Sequence, residues 1–171
     1  MQAKSDKPGF GDFACSIART LDLVGEWWTL LILRDLFAGM SRNDEIQQDL
    51  GIASNMLAAR LKRLLDAGLV EREVDPQDAR SWRYTLTGRG RELYPVLLSL
   101  MAWGDKWLSP PGRQPVLVVH KACGQVTAAV PACSVCHQPL ALHELSFAAG
   151  PGGREGPGTA RMGRYLGHRA G

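Results

Sequence analysis

The sequence predicts a mainly α fold with a β-hairpin wing: a winged helix-turn-helix domain followed by a small β-rich unit. Three observations carry that expectation. Leu57, Leu61, Leu64 and Leu65 recur at helical spacing and form one stripe for burial. Gly51 and Gly68 bracket this helix, each where a left-handed turn residue is cheapest without a Cβ. Beyond Gly68, the stretches 69–74 and 81–86 read as two strands around the turn Asp75-Pro76-Gln77-Asp78.

Taken in order, residues 1–12 read as a flexible arm. From Cys15 to Val24, Ile17, Leu21 and Val24 fall at helical spacing. After Gly25-Glu26, the run Trp27 to Phe37 (WWTLLILRDLF) predicts a second helix, apolar nearly all round and therefore expected in the middle of the domain. Asn43-Asp44-Glu45 opens a third, with Ile46 and Leu50 inward and Ile52 plugging the corner after Gly51. The fourth runs from about Ser54 to Ala67, and its outward row holds Asn55, Ala59, Lys62, Arg63 and Asp66. After the hairpin, Thr87 is a suitable N-cap for a long helix from Gly88 to about Trp107, which Pro95 should kink or break. Ser109-Pro110-Pro111-Gly112 reads as a hinge, so that residues 13–108 form the main domain and 113–147 the small unit. From 148 to 171 the composition turns to Gly, Arg and Ala, and disorder is expected.

Composition narrows the function. The hydrophobic fraction of 45% supports a core, and no apolar run approaches the ~18 residues of a membrane span. With no apolar leader in the first residues, a cytoplasmic address is expected, and the four cysteines argue for thiols or metal rather than structural disulfides. Net charge is only +3. Residues 51–91, however, hold 8 basic against 5 acidic side chains, so the excess sits on the fourth helix and the hairpin. Phosphate contacts would be needed there if that helix entered a major groove. The candidate DNA-binding residues are Ser54, Asn55, Ala58, Ala59, Lys62 and Arg63 on the helix, with Arg80 and Arg83 on the hairpin. Asn55 and Ala59 are suited to base edges, Lys62 and Arg63 to phosphates. The wing, 69–86, would lie on the flanking backbone or minor groove. A thiol enzyme is disfavoured because the first 108 residues contain no histidine to act as base; no catalytic residue is assigned.

Several blocks in order carry a family likeness: Cys15 opening the first helix, VGEWWTLLILRDLFAG, LGIASNMLAARLKRLLDAGLVER and YTLTGRGRELYPVLLSLMAWGDKW. Over its first 108 residues the chain resembles the HxlR-type winged-helix transcriptional regulators of bacteria. The resemblance implies a homodimer that reads paired half-sites on double-stranded DNA and represses or activates neighbouring genes. It further implies dimerisation through the first helix and the long helix after the wing, for which Leu97, Leu100, Trp103 and Trp107 are the interface candidates. The chain departs from the family pattern at Trp27 and Asn43, and at Ser81, where a wing arginine is usual and Arg80 and Arg83 stand on either side. Some family members sense oxidants through a cysteine placed like Cys15, at a helix start that favours the thiolate. An oxidant or small-molecule effector is thus a further candidate partner.

His120-x-x-Cys123 and Cys133-x-x-Cys136 supply four soft ligands at the spacing of two zinc knuckles, which resembles a zinc ribbon. One structural zinc is the expected cofactor, with His137 competing with His120 for the fourth position. The alternatives are free thiols beside a fortuitous histidine, a Cys133–Cys136 redox pair, or a ribbon that has lost its metal. For the whole chain, the alternatives to a DNA-binding regulator are a winged-helix interaction scaffold with a partner-binding ribbon, and a thiol-based redox sensor through Cys15.

Overall fold

The computed structural model describes residues 9–164; the first eight residues of the expected arm and residues 165–171 of the expected tail lie outside them. The described residues group into two units, 9–27 with 140–164, and Trp28–Pro139.

In the first unit, helix α1 spans Ser16–Val24, with half-buried Cys15 at its N-cap position. The Phe10 amide donates to Asp22 Oδ1 at 3.0 Å, and the Phe10 and Phe13 rings meet edge to face with centroids 5.2 Å apart. Arg154 reaches back across the unit, its Nη2 donating to the Asp12 carbonyl at 2.7 Å.

The second unit carries the helix-turn-helix. Helix α2, Trp27–Ala38, buries Thr29, Ile32, Leu33, Asp35 and Leu36. The expectation of burial all round is corrected: Trp27 is 75% exposed, and Arg34 faces solvent. Arg34 Nη2 lies 2.6 Å from both Asp35 Oδ1 and Asp49 Oδ2, tying α2 to helix α3, Asn43–Leu50. Burial pushes the Asp35 carboxyl above its ordinary range, against the pull of Arg34. Glu45 caps α3, its Oε2 accepting from the amides of Ser41 at 3.1 Å and Arg42 at 3.0 Å. Ile46 is fully buried, whereas Leu50 is only half-buried.

Gly51, at φ +60°, turns the chain into helix α4, Ser54–Asp66. Leu57, Leu61 and Leu64 are buried on the core side of α4, with Leu65 at the margin. At about 2 kcal/mol for each buried leucine, this stripe is what holds α4 against its neighbours. The wing follows as strand β1, Val70–Asp75, antiparallel to strand β2, Asp78–Leu86. β2 begins three residues earlier than the sequence pattern suggests, because Asp75 pairs with Asp78 across the turn. Leu69, Val70, Tyr84 and Leu86 anchor the base of the hairpin in the core. A bridge between Arg42 and Arg83, with the Tyr84 amide donating to the Ser41 carbonyl at 2.7 Å, adds the segment before α3 to the edge of β2.

The expected long helix is two helices. α5, Gly88–Arg91, is capped by Thr87, whose Oγ1 accepts from the Gly90 amide at 3.1 Å. α6, Tyr94–Trp107, starts afresh with Pro95 in its first turn, where a missing N–H costs nothing. Past α6, strands β3, Val118–His120, and β4, Gln125–Thr127, form a small antiparallel sheet.

Candidate nucleic-acid interface

The surface of α4 opposite the leucine stripe is where the candidate residues gather. Ser54, Asn55, Ala58, Ala59, Lys62 and Arg63 are all exposed. Ser54 Oγ accepts from Gln47 Nε2 at 2.9 Å, which fixes the start of α4 against α3. Asn55 Oδ1 accepts from the Met56 amide at 2.8 Å, leaving its amide nitrogen directed away from the backbone contact. Lys62 Nζ sits 2.7 Å from Asp66 Oδ2 one turn on, an exposed pair that a phosphate can outcompete. Ala58 and Ala59 leave the middle of this exposed face of α4 without large side chains.

The two wing arginines are placed differently. Arg80 is 94% exposed at the tip, loosely beside Asp78 at 3.6 Å. Arg83 turns inward, with Nε 3.2 Å from Asp75 Oδ1, while Arg42 Nη1 lies 3.1 Å from Asp75 Oδ2. The Asp75 side chain has no solvent exposure between these guanidinium groups. Its carboxyl is held below the ordinary range, first by the Gln77 amide at 2.9 Å and then by Arg83 and Arg42. Arg42 also contacts Asp44 of α3 at 3.1 Å, so one buried carboxylate connects wing and helix-turn-helix. Sequence reasoning missed this clamp, since Arg42 and Asp75 lie 33 residues apart. On β1 and β2, Arg72 stacks over the Trp82 ring with 4.4 Å to the centroid, a cation–π contact that stiffens the outer hairpin.

This chain belongs to the HxlR-like helix-turn-helix family. The family model covers residues 23–111, from the end of α1 through α6. An uncharacterized HTH-type transcriptional regulator of Mycobacterium bovis, Mb3122, is 36% identical over 137 residues, 80% of this chain and 87% of that one. Among solved structures, the candidate transcription factor PA1607 superposes with a TM-score of 0.74 at 33% identity, covering 82% of this chain and 99% of its own. PA1374, a candidate transcription factor from Pseudomonas aeruginosa, gives 0.57 at 35% identity over 89% of this chain and 100% of its own. HxlR-like proteins are transcriptional regulators, not enzymes, and no helix among the described residues is long and apolar enough to cross a membrane.

The remaining candidates of this HxlR-like chain lie on α6 and beyond. Within α6, no described residue is buried: Leu97 is half-buried, and Leu100, Trp103 and Trp107 are 51%, 58% and 64% exposed. Val96, 43% exposed, lies on the same face as Leu100, Trp103 and Trp107. Positions 96, 100, 103 and 107 repeat at the four-then-three spacing of a helix–helix seam.

The cysteines and histidines of the β3–β4 region fall into two pairs. His120 Nδ1 lies 3.3 Å from Cys123 Sγ. The Val135 amide donates to Cys133 Sγ at 3.4 Å, and the amides of Cys136 and Val135 lower the Cys133 thiol below its ordinary range. No three His, Cys, Asp or Glu side chains among the described residues converge closely enough to hold a metal ion, so the four expected ligands are not gathered.

Proposed function

We propose that the chain is a homodimeric, sequence-specific DNA-binding transcriptional regulator, with α4 as the recognition helix. The observation that carries this reading is the division of α4 into a buried leucine face and an exposed row from Ser54 to Arg63. In the major groove, Asn55 pairs with a base edge and Ala59 meets a thymine methyl, while Lys62 and Arg63 hold phosphates. The wing follows the flanking backbone through Arg80, and Arg83 acts on wing position through Asp75.

The second copy is placed on α6. A soluble chain seldom leaves a continuous stripe of two tryptophans, a leucine and a valine in water, and a two-fold partner covers it with the same stripe. Two α4 helices would then read half-sites about 34 Å apart, one turn of the duplex. In vitro selection from random duplexes, followed by footprinting, tests this. A pseudo-palindrome with protected half-sites one turn apart is expected; absence of any enriched sequence refutes the proposal.

A further inference from the structure

Two loops after α6 are built to one plan. In each, the fifth residue returns its amide to the carbonyl of the first: Gly124 to His120 at 2.8 Å, and His137 to Cys133 at 2.9 Å. In each, that fifth residue is left-handed, Gly124 at φ +70° and His137 at φ +60°. Glycine adopts this conformation freely, but His137 is the one described non-glycine residue to do so. The first and fourth residues of each loop are then soft ligands, His120 with Cys123 and Cys133 with Cys136. Flanking pairs close both loops, His120 with Gln125 and Ala132 with Pro139.

We propose that these four side chains bind one zinc-like divalent ion, and that the ion draws the two preformed pairs together. A tetrahedral zinc with bonds of about 2.0 Å to nitrogen and about 2.3 Å to sulfur sets its N and S ligands roughly 3.5 Å apart. His120 Nδ1 and Cys123 Sγ are already at 3.3 Å. On the other loop, a backbone amide pointing at Cys133 Sγ suits a sulfur that carries negative charge. Binding releases three thiol protons to solvent, leaving three thiolates and one neutral imidazole on the ion.

Packing offers no substitute for such a staple. No described residue from 113 to 139 is buried, and Val119, Val126, Val130 and Val135 are 53%, 61%, 66% and 85% exposed. A segment this short without a core needs a metal, a disulfide or a partner to hold one shape.

The test uses the full chain, purified under reducing conditions without chelator. Elemental analysis should give about one zinc per chain. Replacement by cobalt should give the intense thiolate charge-transfer and tetrahedral ligand-field bands. Zinc should also slow amide exchange across 118–139. Cys123→Ser and Cys133→Ser should each lose the metal, which requires both loops to contribute. His120→Asn should weaken binding at least tenfold, whereas His137→Asn, which keeps a side chain tolerant of the left-handed turn, should leave it unchanged. Absence of zinc and of cobalt bands in the wild type overturns the proposal. Retention of metal by Cys123→Ser overturns it as well, and so does loss in His137→Asn with retention in His120→Asn.

Discussion

Replacing Lys62 by alanine tests the proposed DNA surface most directly, because its effect has a predicted salt dependence as well as a size. Each protomer offers Lys62, Arg63 and Arg80 as exposed cations, and a dimer that seats all of them neutralises about six phosphates. The logarithm of the binding constant should therefore fall against the logarithm of salt with a slope of about −5. Lys62→Ala removes one contact per protomer, which should flatten the slope by about 2 and weaken binding about thirtyfold near 0.15 M salt. The loss should be similar for every sequence, since a phosphate contact carries no base information. Asn55→Ala should behave oppositely, with an unchanged slope and a loss of about 1–3 kcal/mol confined to the preferred base pair. Fluorescence anisotropy on a selected operator, from 50 to 300 mM salt, separates the two. Neither change should alter the fold, because Asn55 is exposed and the Lys62–Asp66 pair lies in solvent. If Lys62→Ala together with Asn55→Ala keeps both wild-type slope and affinity, α4 is not the recognition helix.

Trp103→Glu should convert the proposed dimer to monomer, since it would bury an unpaired carboxylate at a cost of several kcal/mol; sedimentation velocity that still shows a dimer would move the interface off α6. Asp75→Asn should loosen the wing at neutral pH. The folded Asp75 carboxyl titrates below its unfolded value of about 3.9, so its contribution is present above that pH and lost as pH falls through the folded value. Melting curves from pH 7 to 3 should therefore show the wild type losing its advantage over Asp75→Asn below about pH 4; a constant gap would refute the clamp. Gly90→Ala should cost about 1–3 kcal/mol, because its methyl would be driven into the Leu69 carbonyl at the hairpin base. An unchanged melting temperature would contradict that packing.

Much of the fold was legible because it rests on local rules. The leucine spacing of α4 marks its buried face, and Gly51 and Gly68 take up the positive φ values their positions suggest. The outward row from Ser54 to Arg63 follows from the same periodicity. The rest depends on approaches between distant segments, which no window of sequence contains. The approach of Arg83 and Arg42 to Asp75 is one such contact. The break between α5 and α6, with Pro95 in the first turn of α6, likewise appears only in the fold. Nor does the composition of residues 148–164 reveal that Arg154 bonds the backbone at Asp12, 142 positions away.

The two proposed surfaces of the HxlR-like unit answer a single energetic problem. One α4 places at most a few side chains on base edges, and each good base contact discriminates by only about 1–3 kcal/mol. Against a genome of competing sites, a lone protomer would be held mainly by its phosphates and would discriminate poorly. Doubling the reading head adds the discrimination of a second half-site at a fixed distance, provided the spacing between the two α4 helices is rigid. A stripe of large side chains at 96, 100, 103 and 107 suits that requirement, because tryptophans bury much area at little rotamer cost. Within each protomer, the buried Asp75 clamp gives the wing comparable rigidity relative to α3. On this reading Trp103 and Asp75 touch no DNA, yet both govern its recognition: one fixes the distance between the two reading heads, the other the angle of the wing beside each.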